Sequence, residues 1–243
     1  MSNTTNSKAG TSTGPWDNSA LTILRGWDPV WAGQTLEFAN QPWTDGVLPR
    51  KDVELISIAV SAACTNLSAN GTRRHIRGAL AAGATREEIL MILKIGALLA
   101  LHTCSLGAPI LLEEAKSAGV KLKAKQAATP VCDKMKAAGQ WNTGWDAFYE
   151  IDPKWTEAII AASLPVYASG VLSPKLAEFL SIAVDASITH MYAPGTKRHI
   201  QTALKLGATV EEIMEVLKIC VALGIEACDL GIPILADELQ PDA

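Results

Sequence analysis

Apolar residues recur at steps of three and four through most of the chain, and no segment alternates apolar with polar at every second position. The pattern predicts helices throughout and an all-α fold. Segment 28–42 opens Asp28-Pro29-x-Trp31, with proline in a first helical turn and an acid beside it. A second helix starts near Pro49 and runs through Ile56-Ser57-Ile58-Ala59-Val60. A third is expected from His75 to Ala82, closed by Gly83 in a left-handed C-cap. The fourth opens on the capping box Thr85-x-x-Glu88 and continues through Leu93-Lys94-Ile95. Gly107 and Pro109 are expected to break or kink it before a short last helix.

The same order of signals then returns. Asp152-Pro153 opens segment 152–166, Pro174 starts the next helix, Thr209-x-x-Glu212 is a second capping box, and Gly231 and Pro233 repeat the break. A single offset of 124 residues lays 28–114 on 152–238 without a gap, with about forty positions identical. The chain is therefore a tandem duplication, and its two copies are expected to pair about a pseudo-twofold axis. The pattern divides it into an N-terminal arm at 1–14, expected to be disordered, a first repeat at 15–115, a linker at 116–145 and a second repeat at 146–239. The few residues after Leu239 read as a disordered end.

Charge and composition narrow the partners. The net charge of −4 and the lack of any basic run argue against nucleic acid. The longest apolar stretch, Ile95 to Leu101, is too short to cross a bilayer, so no membrane partner is expected. Residues 1–14 lack the apolar segment of a secretory signal, and a cytoplasmic protein is expected. Five cysteines, an odd number without CxxC, indicate neither a disulfide framework nor a zinc ribbon.

Chemistry concentrates in two places. On the second helix Glu54, Ser57, Ser61 and Thr65 fall on one stripe of an otherwise apolar cylinder, repeated as Glu178, Ser181, Asp185 and Thr189. A carboxylate heading such a stripe faces a cavity, where burial would raise its pKa for acid–base work, or else it satisfies backbone donors or an arginine. On the third helix Arg74-His75 recurs as Arg198-His199. A guanidinium beside an imidazole suits a carboxylated substrate and proton transfer, whereas a histidine packed at a helix end is the structural alternative.

With these residues in view, the chain resembles the carboxymuconolactone decarboxylase family, which includes the AhpD-like alkylhydroperoxidases. The matching pattern is Glu54-Leu-Ile-Ser-Ile-Ala-Val, His75-Ile-Arg-Gly-Ala-Leu and Gly83-Ala-Thr-Arg-Glu-Glu-Ile, with its twin from Glu178 to Ile213. The resemblance implies two AhpD-like helical repeats. The peroxidase branch is similar in carrying two cysteines between glutamate and histidine. Here those places hold Asn66 and Ala69, then His190 and Ala193, so a dithiol peroxidase cycle lacks its pair. The glutamate-to-histidine spacing of 21 is about two longer than the family's, the extra residues being expected in an Ala-Asn-Gly or Ala-Pro-Gly turn.

What the resemblance implies is a lyase that needs no cofactor and acts on a small carboxylated lactone or dienoate from aromatic-compound breakdown. The alternatives are an isomerase or hydrolase on a related product, or a non-catalytic binding protein. His199, Glu178, His75, Glu54 and His190 are the candidate catalytic residues. Arg198, Arg74, Asp185, Tyr192 and Ser181 are the candidates for substrate binding. Because the second copy has Asp185 for Ser61, His190 for Asn66 and Tyr192 for Ser68, its site is expected to be the working one. No metal is expected, the competing reading being convergence of Glu178, His190 and His199 on one ion. By analogy with hexameric rings of single repeats, a homotrimer is expected.

Overall fold

The computed structural model describes residues 14–123 and 125–239. The expectations for the arm through Thr13 and for the end beyond Leu239 lie outside the described residues. Gly14 and Pro15, by contrast, are buried, and Trp16 is packed into the core.

In the first repeat α1 (Asn18–Trp27) leads into α2 (Pro29–Ala39) and the single turn α3 (Gln41–Thr44). Then come α4 (Arg50–Ser61), α5 (Ala69–Ala81), α6 (Arg86–Leu98), a 3-10 turn at Leu99–Leu101 and α7 (His102–Ser117). The intervening segment contains α8 (Pro130–Ala137) and a 3-10 turn at Thr143–Trp145. The second repeat comprises α9 (Asp146–Ile151), α10 (Pro153–Ala168), α11 (Pro174–Ala186), α12 (Ala193–Lys205) and α13 (Val210–Ala222). It ends in a 3-10 turn at Leu223–Ile225 and α14 (Glu226–Glu238).

The local signals act as their chemistry dictates. Asp28 and Asp152 accept from the backbone N–H of Trp31 and Trp155. Both capping boxes form, and Gly83 and Gly207 adopt φ of +87° and +84° after α5 and α12. Two boundaries differ from expectation. α5 begins at Ala69 rather than His75, six residues early; the Ser68 hydroxyl caps it by accepting from Gly71 N–H, and α12 starts at the equivalent Ala193 behind Tyr192 without a side-chain cap. The Ala-Asn-Gly residues are thus helix, not turn. Likewise, the break falls at Leu99–Leu101, and Pro109 lies inside α7 on an exposed face, where the loss of its own donor is tolerated.

The pseudo-twofold is visible at atomic scale: Thr65 Oγ1 and Thr189 Oγ1, one offset apart, lie 3.1 Å from each other. Around this axis α4 packs on α11, and both are buried along nearly their whole length in one core shared by the repeats. The repeats also exchange elements, since α1 packs on α14 and α9 on α7. The structural repeat therefore starts earlier than the sequence match. The segment read as a linker also builds part of the fold: Cys132 and Met135 of α8 form a small second core with Ile160, flanked by Trp141 and Trp145.

The 3-10 turns leave Arg86–Ser117 and Val210–Glu238 as runs long and apolar enough to span a bilayer by length and composition, which corrects the estimate made from Ile95–Leu101 alone. At the bend of each run a polar side chain, His102 or Glu226, turns into the protein.

Candidate functional site

α4 with α5, and α11 with α12, hold the same pair in both copies. Glu54 Oε2 lies 2.7 Å from His75 Nδ1, and Glu178 Oε2 lies 2.7 Å from His199 Nδ1. The two pairs have opposite surroundings.

In the first repeat the pair is sealed. Glu54 Oε1 accepts from Arg50 Nε at 2.9 Å, Arg50 Nη2 at 2.7 Å and Trp43 Nε1 at 3.1 Å, and the Trp43 ring stacks on His75. His75 is fully buried. Burial alone would raise the Glu54 pKa, but the His75 hydrogen bond and the Arg50 guanidinium together hold it below the usual carboxylate range. Of the two readings of this carboxylate, the one in which it satisfies an arginine holds at Glu54, which is not raised for acid–base work. Arg74 is taken as well: its Nη1 lies 2.9 Å from Asp229 Oδ2, and Asp229 Oδ1 accepts from Asp17 N–H. Above them Glu226, from the second repeat, accepts from Ser61 Oγ at 2.7 Å and Asn66 Nδ2 at 3.1 Å.

In the second repeat those partners are missing. One offset on, Arg50 becomes Pro174, Asp229 corresponds to Ser105, Glu226 to His102, Trp43 to Tyr167 and Trp16 to Gln140. A cavity of about 690 Å³ results, lined by Glu178, His199, Arg198, Asp185, Ser181 and Tyr192 among the expected residues. Trp145, Gln140 and Asn142 wall it from the former linker, and Tyr167 from α10. Arg198 Nη2 lies 3.0 Å from His199 Nε2. Because a guanidinium can only donate, this contact makes Nε2 the acceptor and leaves the proton on Nδ1, directed at Glu178. Ser181 itself donates to Ala177 C=O, so its hydroxyl is partly committed to its own helix.

On the cavity, burial raises the Asp185 carboxyl to about 6 against the opposing pull of His199 and Arg198. It is buried, and its Oδ2 lies 3.8 Å from His199 Nε2. His190 does not line the cavity and does not join Glu178 and His199. It packs behind, with Nε2 2.8 Å from His102 Nδ1. Burial pushes His102 down to about 4, helped by the neighbouring His190, and lowers His190 too. His102, which stacks on Tyr192, is the residue a reading within one repeat misses; its only signal was divergence from Glu226 at the equivalent position. The thiols stand apart from this chemistry: burial pushes Cys132 and Cys220 up to about 12.

A helical duplication with a Glu–His pair bridging α4 and α5, and again α11 and α12, defines the class. The model of the carboxymuconolactone decarboxylase family matches residues 29–103 and again 153–227, and the chain belongs to that family. A crystal structure from Burkholderia xenovorans LB400, assigned provisionally as a gamma-carboxymuconolactone decarboxylase subunit, is similar along 93% of both chains. It has 38% identity and a TM-score of 0.84. A comparison with curated proteins finds no match.

Proposed function

We propose that this protein is a decarboxylase-type lyase acting on a small carboxylated lactone, with its working site in the second repeat. The observation that supports this reading is the pairing of Arg198, whose guanidinium has no carboxylate ion-pair partner among the described residues, with a Glu178–His199 proton pair on one cavity. The family and the provisional assignment of the Burkholderia structure agree with it.

The chemistry asks for three things. Arg198 leaves His199 and binds the substrate carboxylate, which frees His199 Nε2 to take a proton from solvent while Glu178 stabilises the charged ring. The carbon–carboxylate bond breaks with its electron pair passing into the unsaturated lactone, so carbon dioxide departs and a dienolate forms. His199 then gives its Nε2 proton to carbon, and the negative charge is discharged. The apolar walls keep water from competing for these contacts. In the first repeat Arg50 and Asp229 occupy the groups that would do the same work.

Carbon dioxide release from freshly generated 4-carboxymuconolactone tests the reading. His199→Ala should lower turnover by about 10²–10⁴-fold, the range for general acid–base groups, while His75→Ala in folded protein leaves it nearly unchanged. No release from folded wild-type protein would overturn the assignment. Equal losses in the two variants would overturn the choice of repeat.

A further inference from the structure

Behind the cavity, the residues that replace Ser61, Asn66 and Glu226 of the first repeat are Asp185, His190 and His102. Two of the three changes put a strong metal ligand where the first repeat has serine or asparagine, and the third exchanges a carboxylate for an imidazole. His102 Nδ1 lies 2.8 Å from His190 Nε2 and 3.4 Å from Asp185 Oδ1, and His190 Nε2 lies 3.9 Å from the same oxygen. A point equidistant from these three atoms is about 2 Å from each, the length of a zinc–nitrogen or zinc–oxygen bond.

We propose that His102, Asp185 and His190 form a divalent transition-metal site of the zinc class, built from both repeats. Two imidazoles and one carboxylate select such a metal over magnesium or calcium, which favour all-oxygen shells.

A second observation points the same way. In the first repeat the equivalent triad is closed on itself, because Glu226 takes hydrogen bonds from both Ser61 and Asn66. In the second repeat Asp185 is 1% exposed and turns Oδ1 to the two imidazoles, at 3.4 and 3.9 Å, while its other oxygen, Oδ2, faces His199. Two neutral imidazoles meeting nitrogen to nitrogen share one proton at best, which a metal would replace with two bonds. His102 is held in place by stacking on Tyr192 at a centroid distance of 4.1 Å. Three protein ligands leave coordination positions open, and His102, Asp185 and Tyr192 line the cavity that Arg198 and His199 share. A metal there would act as a Lewis acid on a carbonyl or carboxylate oxygen of the bound molecule.

The site does not rest on the decarboxylase reading, and its test needs no turnover. Metal-stripped protein is titrated with zinc by calorimetry, and with cobalt followed by its visible d–d absorption. The wild type should bind one ion per chain. The triple variant His102→Glu, Asp185→Ser, His190→Asn, which copies the closed set of the first repeat, should lose at least about a hundredfold in affinity, the upper end of what even outer-shell losses cost. His190→Gln alone should also weaken binding and guards against misfolding of the triple variant, with circular dichroism confirming helix content. Wild-type protein that binds neither ion, or folded variants that bind as tightly as wild type, would overturn the proposal.

Discussion

Glu54 and Glu178 occupy equivalent places and hold their histidines at the same 2.7 Å, yet their neighbours assign them different work. Arg50 and Trp43 complete a buried network around Glu54, so Glu54→Gln should cost about 3 kcal/mol in stability and little in turnover. The Glu54 carboxyl sits below its ordinary 4.5 when folded, so its ionised form stabilises the protein above that pH. That contribution is lost as the pH falls through the folded value, and the difference in Tm between wild type and Glu54→Gln should shrink in acid. A constant difference down to pH 3 would contradict the network. Glu178→Gln should do the converse, lowering turnover by about 10²-fold while leaving Tm nearly unchanged.

Single positions on the helices decide how closely the elements approach. A Cβ added at Gly78 of α5 would lie 2.5–2.8 Å from the Glu54 carboxylate, so glycine lets that acid sink against the helix. Thr202 stands at the equivalent place on α12 and turns its hydroxyl to Arg198 C=O. Gly78→Ala should therefore destabilise by about 1–3 kcal/mol, as overpacking does, and Thr202→Ala should change Tm far less. Thermal melts of the two variants check this, and equal shifts would refute it. Helix caps were legible because they depend on neighbours three or four residues away, and the duplication because one offset of 124 residues aligns the two copies. The start of α5 was misplaced because Asn70 and Gly71 read locally as turn, yet they fold into the helix, as Pro194 and Gly195 do at the start of α12 without a side-chain cap.

At the scale of the molecule, the duplication leaves matching apolar surfaces on the two final helices. Leu106, Ile110 and Leu111 of α7 are exposed, as are their equivalents Leu230, Ile234 and Leu235 of α14. Surfaces of this kind on both copies suit contact between like chains. We propose that three chains close a ring of six repeats. Light scattering should give the mass of three chains, and Leu106→Glu combined with Leu230→Glu should reduce it to one. A monomeric wild type would refute the ring.

By itself the sequence determined the helices, the 124-residue offset, the polar stripe and the Arg-His pairs, because each is written in periodicity or in adjacent residues. It also singled out the second copy through Asp185, His190 and Tyr192. Only the tertiary structure decided that Arg50 and Asp229 consume the first site while Pro174 and Ser105 leave the second open: Arg74 meets Asp229 across the repeats, and the Arg50–Glu54 pair, one turn apart on α4, is sealed by Trp43 and His75 from other elements. Folding alone brings His102 to Asp185 and His190. The repeats exchange their terminal helices across the pseudo-twofold, and no spacing along one chain segment encodes a distance across an axis.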